Sequence, residues 1–294
     1  MTHMIEYENS LRDFTKTKFD VIITAGQSNC EGAGIGDVET PFEPQEDIWF
    51  MNRNGTISQA AEKLNDNLLC GSFKLIFADH YKKGGNLAND RELILIDAAV
   101  GATGFEKGMW GKEEALTKDL MRMTQTVLNL NPGNKIVAFL WHQGERSINF
   151  NVKAEFHKQE LKILLDDFIA CFGKKYPFIA GDFVQSWKMT KGEQGIAIAD
   201  AIQEVFCDEY HGGFVQTQGL HSNSEDCKDS VDVIHFSRKS CYELGSRYYE
   251  TYNHLMKAAR NAEYLDRIDR SIDQVVHGKV ITQSFLEIEE MMNE

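Results

Sequence analysis

The stretch Phe19-Asp20-Val21-Ile22-Ile23-Thr24-Ala25-Gly26-Gln27-Ser28-Asn29 passes from a nearly continuous apolar run straight into a glycine and a serine. A short apolar run bounded by turn residues reads as a buried strand of a parallel sheet. A serine on the sharp turn where such a strand gives way to a helix presents its hydroxyl among backbone N–H groups, which is what acyl transfer requires. Taken alone, Gly26-Gln27-Ser28-Asn29 reads more as a plain turn. Two distant segments add what a serine nucleophile lacks: Trp141-His142-Gln143-Gly144-Glu145 and Asp232-Val233-Ile234-His235 bring imidazole, carboxyl and amide groups.

Working outward, short apolar runs alternate with longer amphipathic ones, the pattern of repeated βα units on a parallel sheet. The expected strands are Val21 to Ala25, Leu93 to Ala99, Ile136 to Trp141, Phe178 to Phe183 and Gly213 to Gln218. The expected helices are Ser72 to Lys82, Glu113 to Leu128, Lys153 to Phe172, Gly195 to Tyr210 and Ser237 to Ala259. In the third of these, Phe156, Leu161, Leu164, Leu165, Phe168 and Phe172 recur at helical spacing, so one face should pack on the sheet. Three segments are expected: an N-terminal extension at 1–18, the main domain at 19–260 and a helical tail at 261–294. In the tail, Leu265, Ile268, Ile272, Val275 and Val276 form one apolar face, read as a peripheral helix packed back on the domain, with a dimerisation element as the alternative.

A chain of 294 residues, 42% of them hydrophobic, can bury a full core without disulfides or metal. Its net charge of −14 repels nucleic-acid phosphates and anionic lipid, so neither is an expected partner and a neutral substrate fits better. Six scattered cysteines without a C-x-x-C pair, no apolar run of signal-peptide length near the start and no membrane-length segment together point to the cytoplasm. Homo-oligomerisation stays open.

Ligands of an open parallel sheet gather where its strands end. Ser28 follows the first expected strand, Gly101 the second and His142 to Glu145 the third, while His235 precedes the last long helix. A serine hydroxyl needs an imidazole to take its proton and return it to the leaving alcohol, and His235 suits that task. Asp232, three residues earlier, can fold back to orient the ring. The Ser28 and Gly101 N–H groups and the Gln143 amide are candidate oxyanion donors. Gln27, Asn29, His142 and Arg146 are further candidates for substrate contact, although His142, after a buried tryptophan, reads more as a hydrogen-bonded core histidine than a base. Trp110 is a candidate wall and sugar-stacking surface, with ordinary core as the alternative. Trp187 and Trp49 carry the same ambiguity. His221, Asp226, Asp229, Asp232 and His235 match no compact metal motif by spacing, and no cofactor is expected.

Gly26-Gln27-Ser28-Asn29, Gly101 to Gly104 followed by Trp110, His142-Gln143-Gly144-Glu145, and Asp232-x-x-His235 leading into Leu244-Gly245-x-Arg247-Tyr248 together resemble the SGNH-type serine esterases. Within them they are most similar to the sialate O-acetylesterase and carbohydrate esterase family 6 (acetylxylan esterase) group. The resemblance spans about Phe19 to Tyr252. It implies a flavodoxin-like three-layer α/β/α fold, here with a mainly parallel five-stranded sheet, and cofactor-free hydrolysis of acetyl esters on sugar hydroxyls. It also implies that Gln143 takes the oxyanion role an asparagine plays in other SGNH enzymes, and that Glu145 is a second candidate for the acid serving His235. Loop proximity favours Asp232. Cys30 stands where a methionine is usual, Ala102 interrupts a common paired glycine, and Arg146-Ser147 replaces the usual Ser-Asp, placing a cation near the pocket. The competing functions are a short-chain lipase or thioesterase on the same fold and a non-catalytic protein that binds acetylated glycans.

Overall fold

The computed structural model of the chain describes residues 12–65, 67–105 and 109–276. Residues up to Tyr252 form one unit around a seven-stranded sheet, and Asn253–Glu294 form a second. Strand β1 is Phe19–Gly26, buried along its whole length, as expected of a run with apolar side chains on both faces. Its one buried carboxylate, Asp20, is compensated by Arg91 Nε at 2.6 Å and the Tyr81 hydroxyl at 2.7 Å. The other strands are β2 (Ile48–Met51), β3 (Ile57–Gln59), β4 (Lys63–Asn65), β5 (Leu68–Cys70), β6 (Glu92–Asp97), β7 (Lys135–His142), β8 (Phe178–Gly181) and β9 (Gly213–Val215). The main sheet has the order β3-β2-β6-β1-β7-β8-β9, all parallel except the β2–β3 pair. Strands β4 and β5 form a separate antiparallel ribbon.

The expected five-stranded sheet is therefore corrected to seven. Strand β2 is fully buried but only four residues long, and the half-exposed edge strand β3 has three, too few for either to establish a period. Strands β6, β8 and β9 also end earlier than expected, at Asp97, Gly181 and Val215.

Helices cover both faces. On β7, Phe139 faces the helix Ala154–Phe172, its ring 4.9 Å from Phe168, whereas His142, of opposite parity, faces the helix Phe73–Lys83 across Phe73 at 5.7 Å. Phe73 in turn stacks at 4.4 Å on Tyr248 of the long helix Arg238–Val276. The helix expected over Gly195–Tyr210 runs over Gly192–Gln203 and then loosens into a π stretch, Glu204–Glu209, where Tyr210 N–H reaches the Val205 carbonyl. The second unit is helical as far as Val276 and carries i,i+4 ion pairs, Arg267 with Glu263 at 3.2 Å and Arg270 with Asp266. Of its expected apolar face, Leu265 and Ile268 lie on this helix, while the side chains of Ile272, Val275 and Val276 lie outside the described residues. Among the described residues, no helix is long and apolar enough to cross a membrane.

Strand β1 sits at the centre with β6 on one side and β7 on the other, so the chain winds away from it in both directions. Its carboxyl end is the topological switch point, where a doubly wound sheet opens a crevice.

Candidate active site

Gly26 ends β1 at φ +135°, and a Cβ there would stand 2.1 Å from the His142 carbonyl oxygen. Only glycine lets β1 and β7 approach so closely at this turn. Gln27 N–H then donates to the His142 carbonyl at 2.9 Å, and the single helical turn Ser28–Glu31 begins. The preceding peptide is thus pinned to the sheet, and Ser28 stands half-buried at the crevice.

The His235 ring comes from the loop before the long helix. Asn223 N–H donates to the His235 carbonyl, Ser224 N–H to the Asp232 carbonyl, both at 2.8 Å, and Ser222 with Glu225 closes a capping box on the short helix Asn223–Asp226. In this frame His235 Nε2 lies 2.7 Å from Ser28 Oγ, and Nδ1 lies 2.7 Å from Asp232 Oδ2. Asp232 also receives Asn223 Nδ2 at 2.9 Å and the N–H groups of Ile234 and His235. Partial burial opposes its charge, but the hydrogen bonds from His235 and Asn223 outweigh this and hold its carboxyl well below the usual range. Burial likewise opposes a charged His235, but Asp232 wins and raises its pKa above the ordinary imidazole value. Such a chain can take the hydroxyl proton through Nε2 while the carboxylate stabilises the imidazolium that results.

A cleft of about 370 Å³ opens over this pair, lined also by Gln27, Gly101, Arg146, Phe150 and Ile234. A larger groove of about 610 Å³ contains His80 and Ser246, 3.1 Å apart, but Ser246 spends its hydroxyl proton on the Tyr242 carbonyl.

Several expected site residues lie elsewhere. Glu145 lines the cleft but is almost wholly buried, and its Oε1 accepts from Asn29 Nδ2 at 2.7 Å rather than meeting His235. Burial raises its pKa. Asn29 is buried and acts as a staple: its Oδ1 takes the Phe236 N–H at 3.1 Å and its Nδ2 also reaches the Ile234 carbonyl, tying the serine turn to the His235 loop. His142, expected as a possible substrate contact, is fully buried behind β7, with Nδ1 on the Tyr248 hydroxyl at 3.1 Å; burial lowers its pKa to about 3. Gln143 is buried too, its Nε2 donating to the Thr103 carbonyl at 3.2 Å and to Gln27 Oε1 at 3.3 Å. Gln27 Oε1 also gathers the N–H groups of Gly144 and Arg146, a bracket between the first and third crevice loops.

Trp110 is corrected from sugar-stacking surface to core. It is 0% exposed, its indole N–H donates to Thr103 Oγ1 at 2.9 Å, and its ring packs edge-on against Trp141. The half-exposed aromatic of the cleft is Phe150, with the Arg146 guanidinium 4.3 Å from its ring centre. Phe150 closes a short helix in a polar stretch, so nothing in the sequence period singles it out. Gly101 does stand beside Ser28, but its N–H donates to Glu31 Oε2 at 2.8 Å. Glu31 carries a legible signal that the sequence reading passed over, since three residues beyond Ser28 on a helical turn is the same face. Ala102 adopts φ +56°, the conformation the interrupted glycine would suit. His221 pairs with Asp226 at 2.8 Å, apart from the Asp232–His235 pair.

Residues 18–254 match the sequence profile of the carbohydrate esterases described as sialic acid-specific acetylesterases. The chain belongs to this family. The esterase shares its fold with NanS, at 18% identity and a TM-score of 0.67 over 83% of this chain and 99% of that one. An Arabidopsis thaliana protein is similar at 17% identity and a TM-score of 0.62, over 80% and 98% of the two chains. A carbohydrate acetylesterase from Xanthomonas citri matches 80% of this chain and 56% of its own length, at 11% identity and a TM-score of 0.50. No curated protein sequence matches the esterase significantly. These likenesses show a shared fold, a mainly parallel sheet flanked by helices.

Proposed function

We propose that the protein removes O-acetyl groups from a carbohydrate by a double displacement at Ser28. Ser28 Oγ attacks the acetyl carbonyl as its proton passes to His235 Nε2. Collapse of the tetrahedral intermediate breaks the bond to the sugar oxygen, which takes that proton and leaves as the free hydroxyl. Water, deprotonated by the same imidazole, then attacks the acetyl ester on Ser28; the bond from the acyl carbon to Oγ breaks, His235 returns the proton to Oγ, and acetate departs. Asp232 is the acid in this reading, and Glu145 is a structural partner of Asn29. The Ser28 N–H and the Gly101 N–H are the oxyanion donors. Gln143 holds the crevice loops together.

The observation that carries the proposal is the pair of 2.7 Å contacts linking Ser28, His235 and Asp232 at the mouth of the cleft. Family membership supports an acetylated sugar as the substrate, and the cleft rim of Phe150, Arg146 and Ile234 is suited to a ring with one apolar face and polar edges. The test is acetate release from a panel of O-acetylated sugars, sialate and xylan-derived members included, with Ser28→Ala as control. Turnover of several acetylated sugars that vanishes in the variant is expected. Release confined to longer acyl esters would overturn acetyl specificity, and binding without acetate release would establish the non-catalytic alternative.

A further inference from the structure

The Gly101 N–H carries one hydrogen, and that hydrogen is engaged. Glu31 Oε2 accepts it at 2.8 Å, and Glu31 Oε1 pairs with Lys63 Nζ at 3.1 Å. A carbon built on Gly101 would lie 3.1 Å from that same Oε2 and 3.6 Å from Ser28 Cβ, so the carboxylate oxygen and the serine converge on one face of the glycine. A carboxylate oxygen beside the nucleophile and on a backbone N–H stands where the oxygen of an acyl group under attack must go.

We propose that Glu31 is a resident competitor for the oxyanion position, displaced by the ester carbonyl, and that Lys63 is the partner toward which its carboxylate withdraws. This rests on the reading of Ser28 as nucleophile and Gly101 N–H as oxyanion donor. The surroundings suit a side chain that swings while its backbone stays. Lys74, 1% exposed, donates to the Glu31 carbonyl at 3.1 Å and pairs with Asp97, anchoring the helical turn from below. Lys63 belongs to the β4–β5 ribbon, is 42% exposed and also faces Asp97 at 3.7 Å, so it can receive the carboxylate without being buried. A charge-assisted hydrogen bond is roughly twice as strong as a neutral one. A neutral ester carbonyl therefore competes poorly with Glu31 for the N–H, whereas the oxyanion of the transition state competes on equal terms. Any carboxylate that stays nearby opposes that developing charge, and Lys63 screens it.

The deciding experiment is a double-mutant cycle on 4-nitrophenyl acetate hydrolysis with Glu31→Ala, Lys63→Ala and the double variant. Glu31→Ala should raise kcat/KM about 5- to 10-fold, the difference between a charged and a neutral hydrogen bond. Lys63→Ala should lower it about 3-fold while Glu31 is present and change nothing once Glu31 is gone. Methylboronic acid, which forms an anionic adduct on a serine, should bind Glu31→Ala more tightly by a factor similar to the rate gain. Labelling of Ser28 by a fluorophosphonate, read by mass spectrometry in each folded variant, separates the two layers of argument. If Ser28 labels and turnover persists, but Glu31→Ala lowers kcat/KM or Lys63→Ala acts equally in both backgrounds, the competitor role is overturned and the esterase reading stands. If no variant turns over or labels, both fall.

Discussion

Two of the histidine–carboxyl pairs among the described residues, His235–Asp232 and His142–Glu145, have opposite chemistry. His235 and Asp232 sit at the cleft, partly exposed, 2.7 Å apart, with the acid fed by several N–H donors. His142 at the end of β7 and Glu145 three residues on are each about 1% exposed or less, with His142 Nε2 and Glu145 Oε1 3.9 Å apart. In the first pair the hydrogen bonds overcome desolvation, so the acid stays ionised and the base is strengthened. In the second, desolvation wins for both groups, so both lean toward their neutral forms. The residue types are alike, and donors reach both carboxylates; what separates the pairs is that the donors outweigh desolvation at half-buried Asp232 and not at fully buried Glu145.

The sharpest way to break this comparison is at the cleft. Ser28→Ala and His235→Ala should each lower kcat on an acetyl ester on the order of 10⁶-fold without loss of fold, measured by steady-state rates beside circular dichroism. Asp232→Asn should cost on the order of 10⁴-fold, whereas Glu145→Gln should keep turnover within about tenfold of the parent, because the amide still accepts from Asn29. A larger loss at Glu145 would reverse the roles of the two acids.

The two pairs should also part with pH. Turnover needs neutral His235, whose folded pKa is raised, so the acid limb of kcat/KM should inflect above the ordinary imidazole value of about 6.5. In Asp232→Asn the inflection should fall below it. His142 acts with the opposite sign on stability. Its folded value of about 3 lies below the unfolded value near 6.5, so its contribution is complete above the unfolded value and is lost as pH drops toward 3. Urea midpoints across that window should decline more steeply in the parent than in His142→Gln. The smallest effect is expected at Ala102, whose left-handed backbone is relieved by Ala102→Gly, a gain of about 0.5–1 kcal/mol in chemical unfolding.

Much of the fold was legible because long apolar runs carry their own period. Strand β7 and the helices after Ser72 and Lys153 stand within one residue of expectation at each end, and β1 starts two residues earlier and ends one later than expected. Strands β2 and β3 escaped because three or four residues cannot show alternation. At the site, the serine, the histidine and the nearby aspartate stand as their spacing suggested, since a strand-to-helix turn and an i,i+3 loop pair are local geometry. His142 takes the hydrogen-bonded core place its position after a buried tryptophan favoured, and Trp110 takes the core alternative; where they and Gln143 turn depends on what packs across them, Tyr248, Trp141 and Thr103 respectively.

The order of segments along the chain was sufficient to specify βα units on a parallel sheet and to place a serine at the end of one strand and an aspartate three residues before a histidine, because periodicity and turn chemistry are written in neighbouring residues. Tertiary structure alone decided which amides turn inward and that Glu31 rests on Gly101. Those outcomes depend on desolvation and on donors contributed from segments 70 to more than 200 residues apart, such as Glu31 with Gly101 and Ser28 with His235.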